Sequence, residues 1–374
     1  MRALQPTILA DLCRNRTVVL VSGTNGKTTT TRMVASAVGT PVEVACNASG
    51  ANMPDGMIAA LAERPYAPYA VLEVDERYVP AVLPRTTPAM VVLLNLSRDQ
   101  LDRMAEVRNT VRAWHNALAR HPTITVVANG DDPLVTDAAQ ATDRQVWVGA
   151  GALWNSDSFS CPRCGAALYR WPGGWHCRCG LARPQPDWQL SGPSRLAGPG
   201  GQSVPLALRL PGLVNVRNAA MAVAAAASLG IPVSQAVAGV QSVAEVDGRY
   251  RVVDFHDHAV RLLLAKNPAG WVETLRILGE HTHPLVLAVN ARGVDGRDLS
   301  WLWDVPFEQL HGRHVSVCGE RAADLAVRLS YAGVAYRMLA DPGQAVASLA
   351  PGPVDVVANY TAFRDVTARF AHDR

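Results

Sequence analysis

The chain has 374 residues, 49% hydrophobic and 18% charged, a composition that folds rather than staying disordered and leaves room for two or three domains. Its formal net charge is only +3 with no basic run, which argues against a nucleic-acid partner. No stretch approaches the ~20 apolar residues that cross a bilayer, and the opening MRALQPTILADLC lacks a signal-peptide layout, so a cytosolic protein is expected.

In chain order, residues 17–21 are a β-branched apolar run that predicts a buried strand. The run leads into Ser22-Gly23-Thr24-Asn25-Gly26-Lys27-Thr28-Thr29 and then a helix-like stretch to residue 38. Strand, glycine loop, lysine, hydroxyl and helix make the layout of a phosphate-binding loop. Glycines let N–H groups turn toward phosphates, the helix start adds positive potential, Lys27 neutralises phosphate oxygens, and Thr28 suits magnesium. The strict pattern wants glycine where Val21 stands, and a glycine-rich turn that binds nothing is the competing reading. Of the 35 basic side chains only Lys27 and Lys266 are lysines; both keep a compact ammonium against an arginine bias.

Apolar runs at 69–74, 90–95 and 123–128, separated by helical lengths, predict a mostly parallel sheet with helices on both faces. Glu73, Asp75 and Glu76 close the first of these runs. Carboxylates at the C-terminal edge of a parallel sheet face the ligand crevice, and Glu73 suits magnesium, whereas Asp75 and Glu76 read equally well as a solvated loop. Asp99 reads as the cap of a following helix.

From about 152 to 190 the texture changes to Trp, Gly, Pro and Cys without helical period, which marks an insertion. Cys161-x-x-Cys164 and Cys177-x-Cys179 offer four thiolates from two short loops, the donor set of a structural zinc ribbon, with His176 as a substitute ligand. A reduced loop without metal is the competing reading. Residues 218–229 predict a helix closed by Gly230.

Asp247-Gly248 reads as a hinge, dividing the chain into 1–248 and 249–374. Runs at 259–264, 285–290, 314–318 and 354–358 predict a second α/β domain. Lys266 and Asn267 stand at a strand-to-helix junction, where anions are favoured. Cys318 has no activating base nearby and is set aside as a nucleophile.

The loop Gly23-Thr24-Asn25-Gly26-Lys27-Thr28-Thr29 resembles that of the Mur ligase and folylpolyglutamate synthase superfamily, in which the leading glycine is often missing. The resemblance implies an α/β fold: a P-loop Mur ligase central domain with an inserted zinc ribbon, followed by a Rossmann-like C-terminal α/β domain. It also implies a reaction in which ATP converts a carboxylate to an acyl phosphate that a nitrogen nucleophile displaces. Residue by residue, it implies Glu73 and Thr28 for magnesium and Asn218, in Asn215-x-x-Asn218, for the nucleotide base. Arg249 would reach the nucleotide phosphates, and Lys266 and Asn267 would close over them. Gln100 replaces a histidine that binds a second magnesium in the family, and no lysine lies between 27 and 266 to be carbamylated. A second magnesium site is left open.

The ribbon, Arg98-Asp99-Gln100-Leu101-Asp102-Arg103, and Asn290-Ala291-x-Gly293-x-Asp295-Gly296-x-Asp298-x-Ser300-Trp301-x-Trp303-Asp304 are similar to one amidating branch of the superfamily. Its members are the synthetase subunits of lipid II isoglutaminyl synthase, and the likeness covers essentially the whole chain. It implies a heterodimer with a GatD-like glutaminase that supplies ammonia. The implied reaction turns the α-carboxylate of D-glutamate in lipid II into D-isoglutamine, in peptidoglycan synthesis at the inner face of the cell membrane. Contact with the membrane would be peripheral. An aspartate of this subunit would complete the glutaminase's Cys-His pair; Asp298 is the candidate and Asp304 the reserve. Asp298 reads equally as the cap of the next short helix, and Trp301 and Trp303 as interface anchors or core. A ligase adding an amino acid and a non-catalytic ATP-binding subunit are the alternatives.

Overall fold

The computed structural model describes residues 7–40, 43–47, 50–98, 104–151, 157–246, 248–295 and 298–372. The expectations for Asp99, Gln100, Leu101, Asp102, Arg103, Asp247 and Gly296 lie outside these residues. Two compact units result, one reaching Arg98 and resuming from Met104 to Ala244, the other running from Glu245 onward.

The first unit runs α1 (Ile8–Cys13), β1 (Thr17–Ser22), α2 (Lys27–Val38), β2 (Val44–Cys46), α3 (Pro54–Glu63), β3 (Tyr69–Glu73), α4 (Val79–Thr86), β4 (Met90–Leu93), α5 (Met104–Ala119), β5 (Thr125–Asn129), α6 (Pro133–Ala139) and β6 (Arg144–Gly149). The hairpin β7 (Tyr169–Trp171) and β8 (Gly174–His176) follows, then β9 (Trp188–Ser191), β10 (Arg195–Ala197), β11 (Ser203–Pro205), α7 (Leu213–Ser228) and α8 (Val233–Ser242). Its main sheet has the order β11-β10-β9-β6-β5-β4-β1-β3-β2. Neighbours from β2 to β9 are parallel, and β10 and β11 add an antiparallel edge.

The apolar runs read at 17–21, 69–74, 90–95 and 123–128 each supply a strand of this sheet. Val18, Val19, Leu20 and Val21 are at most 1% exposed, as expected of a strand covered on both faces. The sheet resumes at Trp188, opposite Val148, inside the segment expected to be insertion. Small buried residues Ala219, Ala220, Ala222 and Ala224 let α7 pack closely within this unit. The helix ends as anticipated: Gly230 takes φ 86°, its N–H reaches Ala227 O (3.0 Å), and Ile231 N–H reaches Ala226 O (3.1 Å).

Chain order reverses at β1, with β3 and β2 on one side and β4, β5 and β6 on the other. The loop after β1 therefore leaves the sheet at a topological switch point, where the open ends of parallel strands form a crevice.

The second unit comprises β12 (Tyr250–Phe255), β13 (His258–Leu264), α9 (Pro268–Gly279), β14 (Leu285–Ala288), β15 (Val315–Cys318), α10 (Ala322–Tyr331), β16 (Tyr336–Met338), α11 (Pro342–Ala347), β17 (Gly352–Ala358) and α12 (Tyr360–His372). Its sheet order is β12-β13-β17-β14-β15-β16, parallel except at β12. The sequence reading missed β12, an edge strand whose Arg251, Val252 and Asp254 are exposed and which therefore shows no apolar run. In β17, fully buried Asp355 accepts from Arg261 Nε at 2.7 Å, with His283 and Arg313 each at 3.5 Å. No helix among the described residues is long and apolar enough to cross a membrane.

Candidate functional site

The predicted phosphate loop lies between β1 and α2. Gly26 has φ 85°, and a Cβ there would fall 2.6 Å from Asn218 Oδ1, so side-chain-free backbone is required twice over. At Gly23 a Cβ would meet Leu94 Cβ at 2.9 Å. Both glycines therefore let neighbouring segments close on the loop.

The segment after β4 clamps the loop from one side. Asn95 Oδ1 accepts from Asn25 N–H (2.9 Å), and Asn95 Nδ2 donates to Asn25 O (2.9 Å). Ser97 N–H donates to Thr24 Oγ1 (3.0 Å), which donates to Ser97 O (3.1 Å). Asp132, the N-cap of α6, holds this clamp by accepting from Leu96 N–H (2.9 Å) as well as Leu134 N–H (2.8 Å). Burial pushes the Asp132 carboxyl up to about 6 even though N–H groups and Arg170 pull the other way. The sequence reading missed both Asn95 as a clamp and Asp132; an Asp before a Pro at a helix start was its only signal for the latter.

Lys27 is 5% exposed, and its ammonium donates to Gly23 O (2.6 Å), Thr24 O (3.3 Å) and Glu76 Oε2 (3.0 Å). Its three donors are thus matched by two carbonyls and a carboxylate. Glu76 is 16% exposed and tied to Lys27, which overturns its reading as a solvated loop residue. Trp114 Nε1 fixes the same segment by donating to Glu76 O (2.8 Å). Asp75 turns back on its own chain, accepting from Arg77 N–H at 3.0 Å.

Glu73 ends β3 beside Val21 of β1 and is fully buried. Its N–H donates to Asn47 Oδ1 (2.7 Å) and its Oε1 accepts from Asn52 Nδ2 (3.3 Å), while Oε2 is buried with no protein donor. A buried carboxylate oxygen without a donor suits a hard cation. Thr28 and Thr29 are buried in the first turn of α2. Asn218 reaches the loop at Gly26 and is 6% exposed.

The four thiols predicted from sequence converge. Cys161, Cys164, Cys177 and Cys179 present Sγ atoms all within 4.8 Å of one another, with Cys161–Cys179 at 3.6 Å and Cys164–Cys177 at 3.4 Å. Tetrahedral zinc with Zn–S near 2.3 Å requires S–S separations of ~3.8 Å, so the set can hold such an ion. Gly165 N–H donates to Cys161 O and Gly180 N–H to Cys177 O, closing the two tight turns. His176 stands outside the cluster, its ring stacked on Tyr169 at 5.1 Å.

In the second unit, Leu264 N–H donates to Arg249 O, so the β12–β13 register brings Arg249 and Lys266 to one end of that hairpin. Asn267 is buried and caps α9 through Gly270 N–H (2.9 Å). Asp298 is exposed and accepts from Ser300 N–H (2.8 Å); bonds from Ser300 hold its carboxyl below the usual range. Asp304 is exposed at the far end of the short helix Ser300–Asp304. The paired tryptophans divide: Trp301 is core at 1% exposed, and Trp303 is 54% exposed against Tyr331. Burial raises the Cys318 thiol to about 12, which agrees with setting it aside as a nucleophile.

Residues 21–154 match the Mur ligase middle domain, and residues 264–363 match the MurT ligase C-terminal domain. The lipid II isoglutaminyl synthase (glutamine-hydrolyzing) subunit MurT of Staphylococcus aureus is 31% identical over 344 residues, 85% of this chain and 78% of that one. The chain belongs to the MurT family. The Streptococcus pneumoniae MurT subunit is likewise 31% identical, over 87% of this chain and 79% of its own. Among solved structures, the MurF ligase of Thermotoga maritima in complex with ADP superposes with a TM-score of 0.64 at 17% identity, covering 98% of this chain and 83% of that one. That identity is low enough for the likeness to show the Mur ligase α/β fold alone.

Proposed function

We propose that the chain is the ATP-dependent synthetase subunit that amidates the D-glutamate α-carboxylate of lipid II to D-isoglutamine in peptidoglycan synthesis, with ammonia from a GatD-like glutaminase. The observation that carries it is 31% identity, over 85% of the chain, to a MurT subunit of lipid II isoglutaminyl synthase. The loop at the β1 switch point supports the chemistry, because it offers glycine backbone, a buried lysine and a buried carboxylate to one nucleotide phosphate tail.

Residues 1–248 form the ATP-binding domain in this reading and 249–374 the C-terminal domain. Gly23, Thr24, Asn25 and Gly26 wrap the phosphates, with Thr28 and Thr29 at the helix start, and Lys27 leaves its loop carbonyls to neutralise the transferring phosphoryl group. The substrate carboxylate attacks the γ-phosphorus, releasing ADP and leaving an acyl phosphate. Ammonia then attacks the acyl carbon, phosphate departs, and a proton is lost to give the amide. Glu73, with its unpartnered Oε2, and Thr28 would hold magnesium, which supplies charge neutralisation when bound. Asn218 would contact the base, and Arg249, Lys266 and Asn267 the phosphates. The four cysteines would hold a structural zinc in an inserted ribbon. Asp298, or Asp304 in reserve, would complete the partner's glutaminase site. The complex would act in the cytoplasm, meeting the membrane only peripherally.

The deciding experiment combines the chain, its candidate glutaminase, ATP, magnesium, glutamine and lipid II, and weighs the product. Replacement of OH by NH2 lowers the mass by about one unit. An amino acid joined to the peptide would overturn the reading in favour of a peptide ligase, and no product with either nucleophile would favour a regulatory subunit.

A further inference from the structure

A cleft of about 350 Å³ opens in the first unit between the β7–β8 hairpin, which the two cysteine pairs flank, and the end of the main sheet. Arg170 and Trp171 of β7 line it together with Asp131, Arg183, Gln189 and Arg217 of α7. The rest of the lining is rich in glycine, so backbone is accessible and side chains do not fill the space. A Cβ at Gly174 would fall 2.4 Å from the Trp171 ring, and one at Gly151 would fall 3.0 Å from the Arg217 guanidinium. These glycines let an indole and a guanidinium lie against the cleft walls.

The cleft is separate from the nucleotide loop. At 100° per residue, Leu213 and Arg217 lie about 40° apart around α7, while Asn218 lies about 140° from Leu213 and about 100° from Arg217. Asn218 meets Gly26, whereas Leu213 and Arg217 line the cleft, so the two sites use different flanks of one helix. The chain needs α7 for both.

Among the described lining residues, three are arginines and one is an aspartate. Arg183 pairs with Asp131 and donates to Gln189 Oε1 (3.0 Å), and Arg170 donates to Ser158 O (2.9 Å) and Oγ (2.7 Å). These contacts orient the Arg170 and Arg183 side chains, and Asp132 adds its field to Arg170. Guanidiniums match phosphate oxygens in a planar fork. Trp171, 52% exposed, offers a flat apolar face of the kind on which a sugar ring lies. The volume suits a small ligand with a few fixed polar contacts.

We propose that this cleft binds a saccharide diphosphate, with Arg170, Arg183 and Arg217 on the phosphates and Trp171 beneath the sugar. The cysteine module is then a wall of the substrate site. Identifying the ligand as the diphospho-sugar of lipid II rests on the proposed function; the anion–sugar chemistry rests on the cleft alone.

The test is equilibrium binding of a short-tailed, water-soluble lipid II analogue, of UDP-N-acetylmuramoyl pentapeptide, and of the same muramoyl peptide without phosphate. Wild type, Trp171→Ala and Arg217→Gln are compared, and ATP affinity is measured alongside. Both variants should bind the diphospho-sugars at least about tenfold more weakly, with ATP affinity within about twofold of wild type. Preference for the lipid analogue over the UDP compound identifies lipid II as the source, and equal binding assigns the site to the shared diphospho-sugar. Weakened ATP binding in either variant, unchanged diphospho-sugar binding, or equally tight binding of the phosphate-free peptide overturns the proposal. Trp171 is exposed on a short hairpin, so its variant keeps the test alive if Arg217→Gln misfolds. Amidation driven by ammonium chloride separates the two failures. Turnover with binding indifferent to both variants sinks the cleft, and sensitive binding without turnover sinks the function.

Discussion

At the residue scale, the phosphate loop depends on matched hydrogen-bond counts. Lys27 distributes three donors over Gly23 O, Thr24 O and Glu76, a geometry suited to a compact ammonium and not to a planar guanidinium. Lys27→Arg should therefore lower ATP-dependent turnover by about a hundredfold or more while the fold persists, read as kcat/KM beside an unchanged circular dichroism spectrum. Asp298 is a different case, because capping and partner catalysis are both open to it. Asp298→Asn keeps an oxygen for Ser300 N–H, so stability should hold while glutamine-driven amidation falls by about a hundredfold and ammonium-driven amidation stays near wild type. Equal rates from both nitrogen sources would assign the residue to capping. The positions of Lys27 in the loop and Glu73 at a strand end were legible because strand ends and loop lysines carry local signals. The role of Glu76 was not, since its partner is distant in sequence and solvated acids are common.

At the element scale, Asp132 joins the clamp after β4 to the start of α6. Its folded-state value of about 6 lies above its ordinary 3.8, so the folded protein binds the extra proton between them. Stability from this group is complete below the ordinary value and is lost as pH rises through the folded one. Asp132→Asn should thus compare worse with wild type near pH 4 than near pH 7, measured as unfolding free energy at both. A constant difference would place the titration elsewhere. Among the described residues the core of the cysteine module is small, Cys161, Trp175, Cys177 and Leu181 with Ala166 and Leu168 against them, and a metal cross-link would stabilise it. Native mass spectrometry should find a single zinc per chain, and Cys177→Ser should lose it and open residues 157–187 to proteolysis. Trp175 Nε1, donating to Gly130 O at 3.2 Å, ties the module to the sheet, a contact that spacing alone does not reveal.

At the scale of the whole molecule, the two units have separate cores, from which separate unfolding transitions are expected. Asp355 anchors the second, where Arg261 and Arg313 would be left buried without their counter-ion by Asp355→Ala. That substitution should cost the second unit roughly 3–5 kcal/mol, moving one calorimetric transition to lower temperature and leaving that of the first unit in place. A single transition shifted as a whole would show the units to be thermodynamically coupled.

Sequence alone determined the parallel strands, the phosphate loop, the cysteine quartet and the second α/β unit. Each rests on a local regularity: a strand buried on both faces must be apolar throughout, a phosphate loop needs glycines and a lysine in register, and metal turns need closely spaced thiols. Tertiary structure alone decided that Asn218 closes on Gly26, that Asn95 and Asp132 brace the loop, that Glu76 holds Lys27, and that the hairpin between the cysteine pairs lines an arginine-bearing cleft. Those contacts join segments far apart in the chain. Their pairing is set by sheet order and helix rotation, which leave no periodic trace in the residues that make them.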